Sequence, residues 1–158
     1  MAYLYLMRHA KAESAGTNPK RPLSPYGIRQ IASSASLARA GGRPLEVPSE
    51  ILHSSKERAR ETAALLARSL GWSSPLREHK GLDPDAEPEL LNTELQALEG
   101  TLAVVGHLPF LPHLASLLIP KEDFSFNEAT LRFFSKDKKG WKEEWFVEPR
   151  PPDPRKGE

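Results

Sequence analysis

Apolar and polar positions fall along this chain in blocks that read in turn as strand, loop and helix. Tyr3-Leu4-Tyr5-Leu6-Met7 is a short apolar run, the pattern of a buried strand. Lys11 to Leu23 is polar and broken by Gly16 and Asn18-Pro19, which predicts a loop. Ser24-Pro25 supplies an N-cap and a first-turn proline; Ile28, Ile31, Ala32, Ala35 and Ala38 then recur at helical spacing until Gly41-Gly42. A Pro-rich connector, Arg43 to Glu50, leads to a short strand, Ile51-Leu52-His53. A second helix carries Ala59, Thr62, Ala63, Leu66 and Leu70 on one face and stops at Gly71. Trp72 to Pro88 reads as irregular. A third helix is predicted over Glu89 to Glu99, ended by Gly100.

Thr101-Leu102-Ala103-Val104-Val105 is the clearest buried strand, and Pro109 fits the first turn of a helix running to about Leu118. Ala129 to Phe134 and Trp141 to Val147 are aromatic-rich runs around a turn at Lys136 to Gly140, a hairpin closing one side of a sheet. Trp141 and Trp145, four apart in a strand, are expected on the same side and in the core. Strand-helix alternation of this kind predicts an α/β fold. The 158-residue length predicts one domain, over 1–148, followed by a polar, Pro-rich tail, 149–158, expected to be disordered.

Composition narrows the chemistry. Lys plus Arg is 22 against 21 for Asp plus Glu, so no global basic field points to nucleic acid. No apolar run is long enough to span a bilayer, and Arg8 and His9 interrupt any leader-like start, so a cytoplasmic location and no membrane partner are expected. With no cysteine, disulfides, thiolate metal sites and cysteine-based phosphatase chemistry are excluded. Five histidines remain to be placed.

Arg8 and His9 directly follow the first strand. Ligands of open α/β sheets bind outside the carboxyl ends of the strands. There a neutral imidazole can attack phosphorus, and an arginine fork can hold phosphoryl oxygens. Alone, the pair also suits an ordinary surface turn. Arg58 falls in the first turn of the second helix, where the dipole disfavours a cation unless an anion completes the site; a solvent-facing Arg beside Glu57 and Glu61 is the other reading. Gly106-His107 ends the central buried strand as His9 ends the first. Two Arg and two His at neighbouring strand ends would form an anion site containing a nucleophile. His53, His79 and His113 have no metal-ligand spacing and are expected to be structural or solvated. Lys20 and Arg21 read as solvated loop charges, with contact to a substrate as the other reading. Asp83-Pro84-Asp85 has the Asp-x-Asp form of a phosphatase nucleophile but no buried strand before it.

These residues carry a resemblance to the histidine phosphatase superfamily. Arg8-His9-Ala10 resembles its Arg-His-Gly or Arg-His-Ala signature. The stretch Ser54-Ser55-Lys56-Glu57-Arg58-Ala59-Arg60-Glu61-Thr62-Ala63 is similar to its second motif, and Val104-Val105-Gly106-His107 to its third. Arg21-Pro22-Leu23-Ser24-Pro25-Tyr26-Gly27 resembles a stretch found before the family's first helix. The motifs stand in the family's order. The short length and the Leu82 to Leu91 segment resemble the SixA-type phosphohistidine phosphatases in particular.

The resemblance implies a phosphoglycerate mutase-like three-layer sandwich, a mostly parallel mixed sheet flanked by helices. It also implies a hydrolase working through a phosphohistidine intermediate on His9. Arg8, Arg58 and His107 would bind the phosphoryl group and stabilise its transfer, with no metal or other cofactor. The substrate implied is a phosphohistidine-bearing protein; the alternatives are a small phosphomonoester or, in a different class, a non-catalytic phosphate-binding module. Larger members of the family use a Glu as general acid. Glu78, in Leu76-Arg77-Glu78, is the first candidate here and Asp85 the next; the third reading is that no residue takes this role, which would favour phosphohistidine, since an imidazole leaving group needs less help than an alkoxide.

Overall fold

The computed structural model describes residues 1–120 and 122–150. Its elements in chain order are β1 (Ala2–Arg8), α1 (Pro25–Arg39), β2 (Glu50–His53), α2 (Glu57–Leu70), β3 (Leu76–Glu78), a 3-10 turn (Lys80–Leu82), α3 (Pro88–Gln96), β4 (Gly100–Gly106), α4 (Phe110–Leu118), β5 (Leu131–Asp137) and β6 (Gly140–Val147). The six strands form one sheet in the order β3-β2-β4-β1-β5-β6. β3, β2, β4 and β1 run parallel, while β5 lies antiparallel to both β1 and β6. This is the expected mostly parallel mixed sheet.

Alternation along β1 builds both faces. Ala2, Leu4 and Leu6 point into one core with Leu91, Leu95, Leu111 and Leu114 of α3 and α4. Tyr5 and Met7 point into the other with Ile31 and Ala38 of α1 and Ala59, Ala63 and Leu66 of α2. A strand buried on both faces reads as a continuous apolar run, which is why Tyr3 to Met7 and Thr101 to Val105 stand out.

Three details depart from the sequence reading. Trp141 packs into the α3/α4 core, whereas Trp145 packs against the α1/α2 core. The two were expected on one side. A register shift between Phe133 and Phe134 pairs Phe133 with Trp145 and Phe134 with Glu143, leaving Glu144 as an extra residue. Such a bulge reverses the alternation. Trp72 to Pro88, expected to be irregular, contains β3 and the 3-10 turn; β3 is three exposed residues on the sheet's edge and has no apolar alternation to betray it. The third helix stops at Gln96 rather than Glu99. There Lys136 Nζ donates to the carbonyls of Leu95 at 3.4 Å and Gln96 at 2.7 Å, a C-terminal cap supplied from β5.

Of the tail expected from 149 onward, Pro149 and Arg150 are described, and the Arg150 backbone N–H donates to Ser33 Oγ at 2.9 Å. Residues 151–158 lie outside the described residues.

Candidate active site

Parallel register brings the sequence-predicted groups to one rim. Arg8 at the end of β1 is paired with Gly106 at the end of β4, so His9 and His107 leave the sheet side by side. The backbone N–H of His9 donates to Gly106 O at 3.0 Å and holds that exit. β2 lies on the other side of β4, with His53 opposite Val105, so Ser54 emerges next to His107. The rings of His9 and His107 lie with centroids 5.0 Å apart, tilted by 55°. Arg58 enters from α2, whose first turn starts just after this rim. Thr62, one turn along, ties α2 to β1: its Oγ1 accepts from Ala10 N–H at 3.1 Å and donates to Arg58 O at 2.7 Å.

The hydrogen bonds assign chemistry to the rings. His9 Nδ1 lies 2.7 Å from Ala10 O. A carbonyl only accepts, so Nδ1 carries the hydrogen and Nε2 presents its lone pair. His107 Nε2 lies 2.6 Å from Ser54 Oγ, which also accepts from Lys56 N–H at 3.2 Å. The serine can direct its own hydrogen to Nε2, which leaves Nδ1–H of His107 as a donor. Among the described residues that buried Nδ1 has no partner, and neither do the buried Nε atoms of Arg8 and Arg58. Arg8 makes one anchoring bond, Nη1 to Phe126 O at 3.1 Å.

Electrostatics agree with this geometry. Burial pushes His9 down to about 4; the Ala10 contact opposes this, and the charges of Arg58, Arg8 and Arg21 add to it. Burial, then His9 and Arg58, push His107 down to about 3, with Asp83 pulling the other way. Burial likewise lowers both guanidinium values of Arg8 and Arg58. The rings are therefore neutral, and the desolvated arginines have donors to spare. An unpaired buried donor is costly unless an acceptor arrives. A tetrahedral oxyanion would supply several acceptors at once.

Arg21 and Asp83 bear on the site in ways other than the loop charge and the Asp-x-Asp form that the sequence suggests. Arg21 sits at φ 48 with Nε donating to Glu13 O at 3.1 Å, and its charge reaches His9 and Arg58. A non-glycine residue in the left-handed region is uncommon, and such strain gathers at ligand sites. Asp83 Oδ1 accepts from Ser55 N–H at 2.9 Å and Ser55 Oγ at 2.8 Å, which fixes the turn leading to Arg58. Burial would raise its carboxyl, but the two Ser55 bonds outweigh that and hold it below the usual range. Glu78, at the end of edge strand β3, and Asp85 are both exposed. The charged groups acting on His9 are three arginines, and neither carboxylate is among them.

The other histidines are placed as expected. His53 is buried, its Nδ1 donating to Ser54 O at 2.8 Å. His79 caps the 3-10 turn by accepting from Gly81 N–H at 2.9 Å. His113 is exposed on α4. Among the described residues no three His, Cys, Asp or Glu side chains cluster as metal ligands, and no helix is long and apolar enough to cross a membrane.

Comparison with solved structures finds the same fold. The protein histidine phosphatase SixA complexed with tungstate superposes with a TM-score of 0.80 at 24% identity, covering 93% of this chain and 97% of that one. A candidate phosphohistidine phosphatase SixA from Nakamurella multipartitia gives 0.68 at 26% identity over 94% and 96%. Phosphoserine phosphatase from Entamoeba histolytica, in complex with 3-phosphoglyceric acid, gives 0.66 at 15% over 95% and 98%. Comparison with curated proteins gives no match. A family model described as histidine phosphatase superfamily (branch 1) matches residues 4–109, a span holding Arg8, His9, Arg58 and His107, and the chain belongs to that superfamily.

Proposed function

We propose that this chain is a phosphatase that takes a phosphoryl group onto His9 Nε2 and passes it to water, with protein phosphohistidine as donor. The observation that carries the reading is the set of unpartnered buried donors, Arg8 Nε, Arg58 Nε and His107 Nδ1, around the free lone pair of a neutral His9. In the first step the bond from Nε2 to phosphorus forms as the bond from phosphorus to the donor nitrogen breaks. Arg8, Arg58 and His107 take the equatorial oxygens and stabilise the charge on them. Arg21 adds a third cation to the same field, beside Arg8 and Arg58.

The Nδ1–H held by Ala10 O serves the second step. A phosphorylated ring with a hydrogen on its other nitrogen can leave as neutral histidine. Water bonds to phosphorus, the bond to Nε2 breaks, and inorganic phosphate departs with the water's oxygen. The same logic favours phosphohistidine as donor: an imidazole protonated on its second nitrogen leaves as a neutral molecule, whereas an alkoxide needs a proton during departure. Glu78 and Asp85 are exposed, and a carboxyl held below its usual range, as Asp83 is, is a poor proton donor. The SixA neighbours, one with a tungstate oxyanion, support the choice.

The test is incubation with a phosphohistidine peptide labelled in its phosphoryl group. Acid-labile, base-stable label on His9 and turnover well above that of p-nitrophenyl phosphate are expected. Preferential phosphoester turnover that Glu78→Gln abolishes would replace the donor assignment. Binding of phosphate with no label on His9 would leave only a phosphate-binding module.

A further inference from the structure

Two cavities flank the site, and each shares one of its arginines. The first, about 370 Å³, is lined by Lys20, Ser55, Lys56, Glu57 and Arg58 with Pro19. The second, about 400 Å³, is lined by Arg8, Tyr26, Gln30, Asn127, Glu128 and Glu148. Their charges are opposite. In the first, Glu57 is already engaged by Arg60, which leaves Lys20 and Lys56 beside Arg58. Lys56 is near enough to act on both His107 and Asp83. In the second, Glu128 acts on Arg8, Glu148 adds another carboxylate, and Arg8 is the one cation among the described residues lining it.

We infer that the two cavities are a polarised docking track for the chain on either side of the phosphohistidine: acidic side chains fit the Lys20/Lys56 cavity and basic side chains the Glu128/Glu148 cavity. The inference rests on the proposed phosphatase reading and adds a substrate class to it. Residues of an extended segment advance about 3.3–3.6 Å each, so groups only a few positions from the phosphorylated histidine reach cavities that adjoin Arg58 and Arg8. Charges at exposed rims act mainly on encounter and orientation, and salt screens them. The track therefore sets direction as well as affinity, because a segment laid the wrong way meets like charge at both ends.

The experiment uses four donors: phosphoimidazole, which has no flanks, and phosphohistidine peptides with Glu before and Lys after the histidine, with that order reversed, and with Ser on both sides. At about 50 mM salt one polarised peptide is expected to exceed the Ser peptide about tenfold in kcat/KM, through KM, and the opposite polarity to fall below it. The double variant Lys20→Glu with Glu148→Lys is expected to shrink or invert that order when each rate is divided by the phosphoimidazole rate. Equal rates for all three peptides, or an order unchanged in the double variant, would overturn the track while leaving the phosphatase intact. Absence of phosphoimidazole turnover would instead remove the phosphatase reading, and the track with it.

Discussion

The sheet has two rims, and the larger cavity is on the wrong one. At the amino-terminal rim, Met1, Ala2, Gln96 to Glu99 and Lys136 to Lys138 surround about 900 Å³. One of its two lysines, Lys136, is committed to the carbonyls that end α3. At the carboxyl rim the cavities are less than half that volume, but Arg8, Arg58 and His107 hold donors with no partner among the described residues. Volume measures how a surface is folded. An unsatisfied buried donor measures what the surface lacks; Arg43 Nε and Trp141 Nε1 are unpartnered too, so the guide to a ligand is three such donors together with a neutral imidazole.

The sharpest way to break this comparison is to remove one side chain from each rim. His9→Ala is expected to abolish both the phosphoenzyme and turnover, because the bond-forming nitrogen is gone. Glu99→Ala, at the large cavity, is expected to change kcat/KM by less than about twofold, as for surface substitutions generally. Label incorporation and steady-state rates check both. Comparable losses from the two variants would overturn the assignment of the rims.

Next in size is Arg58→Ala. Removing one preorganised oxyanion partner costs about 10²–10³ in kcat. Arg58→Lys is expected to recover only part of this, since a point charge does not reproduce the planar fork. Full recovery by Lys would show that charge near the rim suffices and that the fork geometry does not matter.

Ser54→Ala sharpens the comparison within the carboxyl rim. It removes the 2.6 Å partner that directs hydrogen to His107 Nε2, and so frees the ring to choose its tautomer. A lost hydrogen bond of ordinary strength predicts about a tenfold fall in kcat/KM. Asp83 gives a smaller effect. Asp83→Asn keeps an acceptor for Ser55 N–H and Oγ and is expected to stay within about twofold, whereas Asp83→Ala frees the turn before Arg58 and costs about fivefold. Equal losses from the two would mean that the charge of Asp83, felt by His107, is what matters.

The contrast also explains what could be read in the chain beforehand. Arg8 and His9 follow an apolar run directly, and His107 follows another, so the local pattern placed them at strand ends. Arg58 opposes a helix dipole, a signal that a solvent-facing Arg beside Glu57 and Glu61 would share. Ser54, Asp83 and Arg21 depend on relations that no local pattern encodes: Ser54 meets His107, Asp83 meets Ser55, and Arg21, itself in the left-handed region, acts through its charge on His9 and Arg58. The opposite facing of Trp141 and Trp145 has the same root. A bulge is set by how two strands pair, and neither strand's own alternation records it.

The smallest expected change concerns acid, and its sign follows from burial. Desolvation disfavours the imidazolium, and the neighbouring arginines disfavour it further, so His9 moves down, to about 4, and is neutral above that pH. Between pH 7 and pH 5 its neutral fraction should fall by only about a tenth, whereas an ordinary histidine near 6.5 would lose about 25-fold. Rates are a poor readout, because the phosphoryl donor titrates in the same range. Ring-proton NMR of the free enzyme reads His9 directly, with His9→Ala identifying its signal. A flat resonance across that interval is expected. Phosphate at saturating concentration should raise the midpoint, because a bound dianion offsets the arginine charges that hold the ring neutral. A midpoint near 6.5 without phosphate, unmoved by its addition, would mean that the ring is neither desolvated nor next to the bound anion, and the carboxyl rim would lose the property that distinguishes it.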